Sequence, residues 1–195
     1  MKNRLLILSI LLAGVVINSG CAPLLIGGTV ATTVSVAHDR RTAGSIVEDN
    51  AIKLRISNTL RTDETLSDNS HISVTVFNGI VLLSGETPTE AFRTRAGEIA
   101  RTQEKVRRVY NELTIAAPSS MMTRSSDSWI TTKIKGSLAG LDIKNFGPSR
   151  VKVTSENGTV FLLGLVYRKE ADATVDVSRK VSGVQRVVKL FEYLD

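Results

Sequence analysis

Side chains that ordinarily carry chemistry are scarce in this chain. It has one cysteine, Cys21, one tryptophan, Trp129, and two histidines, His38 and His71, among 195 residues. The histidines stand in unlike surroundings, and neither has a set of metal ligands nearby in sequence, so His71 reads as a strand-entry residue rather than a site. There is no nucleophile elbow, paired-carboxylate spacing, Cys/His cluster or phosphate-binding loop. Enzymatic activity, a metal and other cofactors are therefore not expected. Two placements do suggest chemistry. Cys21 sits where an acyl chain could be attached, and Trp129 stands close to Lys133 and Lys135, where an indole and two ammonium groups could meet a lipid headgroup.

Cys21 closes a stretch laid out as an export signal. A basic start (Lys2, Arg4) is followed by an apolar run over residues 5–17 and then by small residues. That run is too short for a convincing membrane span. With one cysteine no internal disulfide can form, and a lone thiol in an exported chain calls for a reason. Ser19, Gly20 and Cys21 resemble a bacterial lipobox, with Asn18 where that motif favours an apolar residue. The motif implies that Cys21 is lipidated, for example with palmitate, and becomes the first residue of the mature chain. Each buried methylene of such an anchor contributes about 0.8 kcal/mol. Ala22 follows, not the aspartate that retains such proteins in the inner membrane. The expected destination is the inner leaflet of the outer membrane, facing the periplasm. A secretory peptide with a free Cys21 is the alternative. The formal charge of +6 falls to +4 once Lys2 and Arg4 are removed. In an exported chain this favours anionic lipid or acidic protein surfaces as partners and gives no role to nucleic acid.

The elements that must position these residues form a repeat. Residues 72–85 (ISVTVFNGIVLLSG) recur as residues 151–164 (VKVTSENGTVFLLG). Each copy alternates apolar and polar residues, turns at Asn78-Gly79 or Asn157-Gly158, and resumes with an apolar, β-branched run, which is the signature of a hairpin with a type I′ turn. Ile52, Ile56 and Leu60 recur at helical spacing ahead of the first hairpin, with Asp49 and Asn50 as candidate N-caps. Ile130, Ile134 and Leu138 hold the same seam ahead of the second. After the first hairpin, Thr87-Pro88 opens a helix carrying Phe92, Ala96, Ile99 and Ala100. After the second, Ala173, Val177 and Val181 mark a helix closed by Gly183, where the first copy has Glu104-Lys105 and so should exit differently. A closing strand ends each copy. The expected layout is a signal peptide (residues 1–20), a lipidated N-terminus and tether (21–45), a first domain (46–115), a linker (116–125) and a second domain (126–195). Each domain should be an α+β unit, a three-stranded mixed sheet packed on two helices, close to the smallest size at which one core suffices.

The pattern V-x-V-x-x-x-N-G-x-V-x-L-x-G, followed by a helix and then by Gly183-Val184 and Val187, resembles the BON domain. Two such domains behind a lipobox are similar to the dual-BON outer-membrane lipoproteins of Gram-negative bacteria, over nearly the whole mature chain. The resemblance implies a non-enzymatic protein that binds anionic phospholipid, such as phosphatidylglycerol, through its second domain. It also implies support of outer-membrane integrity and gathering at the division site.

A repeat separates scaffold from task, because what folding needs recurs in both copies. Residues 46–115 carry nine basic and ten acidic groups, a net of −1, whereas residues 125–194 carry eleven and seven, a net of +4. Trp129 stands where the first copy has Ala51. At about 100° per residue, Lys133 and Gly136 fall within about 40° of Trp129, and the apolar seam lies about 100–180° away. Thr132 belongs to the segment from Trp129 to Lys133 that carries the resemblance. The candidate phospholipid-binding residues are therefore Trp129, Thr132, Lys133, Lys135 and Gly136. The bland alternative is that Trp129 covers the edge of its own core. Competing functions are an envelope adaptor that contacts protein partners in peptidoglycan remodelling or outer-membrane assembly, and a chaperone-like stress protein.

Overall fold

The computed structural model describes residues 39–195. The expected leader, Cys21, His38 and most of the expected tether lie outside them. The described chain runs twice through helix, strand, strand, helix, strand. The first set is α1 (Ala43–Thr62), β1 (His71–Phe77), β2 (Ile80–Thr87), α2 (Glu90–Arg101) and β3 (Arg108–Ile115). The second is α3 (Met121–Ala139), β4 (Val151–Glu156), β5 (Thr159–Val166), α4 (Arg168–Ser178) and β6 (Arg186–Tyr193). In each set the central strand pairs antiparallel with the strand before it and parallel with the last, giving mixed sheets of order β1-β2-β3 and β4-β5-β6. This is the α+β architecture that the repeat predicts.

Both hairpin turns have two successive residues in the left-handed region, Asn78 (φ 51°) with Gly79 (φ 71°) and Asn157 (φ 47°) with Gly158 (φ 71°), as a type I′ turn requires. Each is gripped by an aspartate on the preceding helix. Asp49 accepts hydrogen bonds from the backbone N–H groups of Asn78 (2.6 Å) and Gly79 (2.8 Å). Asp127 does the same for Asn157 (2.8 Å) and Gly158 (2.9 Å). Asp49 is thus buried inside α1 and caps a turn, not the helix.

The helices begin earlier than expected. Thr42 caps α1 by accepting from the Ser45 N–H (3.1 Å), and Ser120 caps α3 by accepting from the Thr123 N–H (3.2 Å). These starts place Ala43 inside the expected tether and Met121 inside the expected linker. A second difference lies in α4. It ends at Ser178 and buries Glu170, Ala171, Thr174 and Ser178, not the seam of Ala173, Val177 and Val181. Small side chains there let the helix lie close to the sheet, and Val181 joins the core from the turn that follows. The two copies also leave their second helices alike. Lys105 takes φ 63° where Gly183 takes φ 95°, so a lysine occupies the left-handed position despite its Cβ.

Each sheet packs one face on its own helices. Val74, Val76, Val81 and Leu83 meet Ile52, Ile56 and Leu60, while Val151, Val153, Val160 and Leu162 meet Ile130, Ile134 and Leu138. The opposite faces of the two sheets meet each other. Phe77, Ile80 and Leu82 from the first copy and Phe161, Leu163 and Leu190 from the second form a third apolar core. Around its rim the Thr75 and Thr154 hydroxyls touch at 3.1 Å, and Glu192 accepts from the Asn78 side chain (2.6 Å) and from Arg107 (2.8 Å). Arg40, just ahead of α1, reaches into the second copy. It pairs with both Glu170 oxygens (2.6 and 2.9 Å), donates to the Leu165 carbonyl (3.0 Å) and lies 4.6 Å over the Tyr167 ring.

Candidate functional site

The outer face of α3 carries most of the expected residues. Asp127, Ile130, Ile134 and Leu138 turn inward, which leaves the opposite side of the helix to solvent. Trp129 is 61% exposed and does not cover the edge of its core. The Lys133 ammonium stands 5.1 Å over the indole ring, a cation–π pair that holds the charge beside the aromatic surface. Thr132 is exposed, with its hydroxyl donating to the Ser128 carbonyl (2.9 Å). At Gly136 an added Cβ would meet nothing within 4 Å among the described residues, so neither their packing nor the backbone conformation demands glycine there.

Lys135 does not join this group. It lies about 120° around the helix from Trp129 and adds its charge to the neighbourhood of Lys152. Burial, with the charges of Lys53 and Lys135, holds the Lys152 ammonium below the usual lysine range. Two residues of the expected linker extend the face instead. Met121 and Met122 are 73% and 83% exposed on the first turn of α3. The polarity of the 116–126 stretch hides them, and recognising the Ser120 cap would have revealed them.

A second polar group lies at the joint between the copies. His71 and Glu86 are cross-strand partners on the sheet face that meets the other copy. Glu156 approaches from that other copy, its carboxylate 3.7 Å from the His71 Nε2. Ligand atoms of His71, Glu86 and Glu156 all lie within 4.8 Å of one another. Burial, then the nearby carboxylates of Glu86 and Asp127, push the Glu156 carboxyl up to about 7, against weaker opposing effects from Ser73 and Arg124. Residues so far apart in the chain leave no local motif.

Residues 48–117 and 126–195 each match the BON domain. The chain belongs to the BON-domain family. It is 38% identical over 193 residues to the outer membrane lipoprotein DolP of Haemophilus influenzae, covering 96% of each chain. It is also 38% identical over 157 residues to a 21 kDa hemolysin of Actinobacillus pleuropneumoniae, covering 80% of this chain and 79% of that one. With two BON domains and this extent of likeness, it is a dual-BON protein of the DolP type. The aspartate grip on the Asn-Gly turn occurs in both BON domains and is scaffold. The exposed Trp129 face belongs to the second alone.

Proposed function

We propose that this dual-BON protein is anchored through lipidated Cys21 in the inner leaflet of the outer membrane and docks on anionic phospholipid through the outer face of α3. The observation that carries the reading is the 61% exposed Trp129 with the Lys133 ammonium 5.1 Å over its ring. An indole favours the headgroup region, and a lysine near an anionic surface contributes about 1 kcal/mol. The first domain has Ala51 in place of Trp129. It has Arg55 in place of Lys133, ion-paired with Glu48 at 3.4 Å, whereas the second domain has Ser126 in place of Glu48. Cation and aromatic ring are thus left for a ligand only in the second domain. The relative from Haemophilus influenzae, an outer membrane lipoprotein by name, supports the location. Anchoring raises the local concentration of α3 at the surface, so a weak headgroup contact suffices to direct where the protein gathers and to serve envelope integrity. No step of this reading needs catalysis.

The test is flotation of residues 36–195 with phosphatidylglycerol or phosphatidylcholine vesicles. Wild type should float with the first, less so as salt rises, and Trp129→Ala should bind several-fold less with unchanged circular dichroism. Equal flotation of wild type and variant would overturn the site. A second reading, docking of an envelope protein partner, draws on the exposed Val47 (69%) and Leu54 (62%) on α1. It requires that a partner be cross-linked in the envelope by the wild type and lost on Leu54→Glu.

A further inference from the structure

We propose that the joint between the two BON domains is a zinc site, with His71 and Glu86 supplied by the first domain and Glu156 by the second. One imidazole nitrogen and two carboxylates, all with ligand atoms within 4.8 Å of one another, converge from two strands of one sheet and one of the other. Tetrahedral zinc, with bonds of about 2.0–2.2 Å, sets its ligands roughly 3.4 Å apart, so side-chain rotation of about an ångström closes the site. The imidazole selects against calcium and magnesium, which favour all-oxygen shells.

The cluster does not stand on its carboxylates alone. Ser84 lies two residues from Glu86 on the same face of β2, opposite Ser73 on β1. It is fully buried and its Oγ has no hydrogen-bond partner among the described residues. Ser73 lines the cavity at the joint together with His71 and Glu156, and the hydroxyl of Ser84, its cross-strand partner, is free to hold the water that completes a tetrahedron. Glu86 is already oriented by the Ser119 backbone N–H at 3.1 Å, as metal-binding carboxylates ordinarily are. Glu86 is 4% exposed and Glu156 9%. Two buried carboxylates and one imidazole gather here, with Arg124 lining the same cavity, and a dication would neutralise the paired carboxylates. Because the ligands come from both domains, bound zinc would cross-link them and fix their mutual packing.

The experiment uses the full chain in detergent, freed of metal with chelator and then dialysed. Titration with zinc chloride should give one ion per chain and a higher melting temperature, with magnesium giving neither. Cobalt in its place should show the visible absorption of a four-coordinate site. Glu156→Gln, which keeps the shape of the side chain, and His71→Asn should each weaken zinc binding at least tenfold, whereas His38→Asn and Trp129→Ala should leave it unchanged. Absence of stoichiometric zinc binding, or binding that survives both Glu156→Gln and His71→Asn, would overturn the proposal. Neither result bears on lipid docking, which Trp129→Ala tests separately.

Discussion

Glu156 shows how much one residue's setting can decide. In the first copy the matching position is Phe77, which lies in the apolar joint. In the second it is a carboxyl raised to about 7 by burial and by Glu86 and Asp127. A carboxyl whose folded value lies above its ordinary 4.5 favours folding fully below that value and loses the contribution as pH rises toward 7. In chelator, stability should therefore fall between about pH 4.5 and 7 from this group, and Glu156→Gln should flatten that part of the profile in denaturant titrations. An unchanged slope would mean that the carboxyl titrates normally. At this scale the sequence was legible only where a residue departs from the repeat. Trp129 stood out because Ala51 faced it in the repeat, while His71 looked inert because its neighbours Glu86 and Glu156 come from other strands.

The elements were the most legible part, because the Asn-Gly turns and the alternation around them depend on local backbone physics alone. Helix starts were not, since Thr42 and Ser120 cap through single hydrogen bonds within polar stretches that read equally well as tether and linker. The face of α4 departs from the expected seam for a different reason. Ala171, Thr174 and Ser178 are buried and small, and a search for large apolar residues passes over them. Nor does a pattern of apolar residues disclose that Asp127 holds the second hairpin to α3. Asp127→Ala would leave two turn N–H groups without their charged acceptor. It should destabilise the protein by roughly 2–4 kcal/mol, measured by urea unfolding, and Asp127→Asn should cost less because one acceptor remains. A loss below about 1 kcal/mol for the alanine variant would show that water serves the turn as well as the aspartate does.

Across the whole described chain, the organising feature is the joint in which the two sheets share an apolar layer. Its signal was present as unbroken apolar runs, Ile80 to Leu83 and Val160 to Leu163, since a strand covered on both faces has no reason to alternate. The contact between Thr75 and Thr154 brings equivalent residues of the two copies together, as happens on a two-fold axis. A single copy, residues 116–195, should therefore bury its inner face against a second copy of itself and sediment as a dimer. A stable monomer would show that Phe161, Leu163 and Leu190 do not need a cover. Arg40 gives the joint a further meaning. It precedes the first domain in the chain, yet its guanidinium is spent on Glu170, Leu165 and Tyr167 of the second. The second domain is thus completed by a side chain that precedes the first. Cutting at the repeat boundary would take away part of its fastening, so the repeat is a unit of sequence without being a unit of assembly.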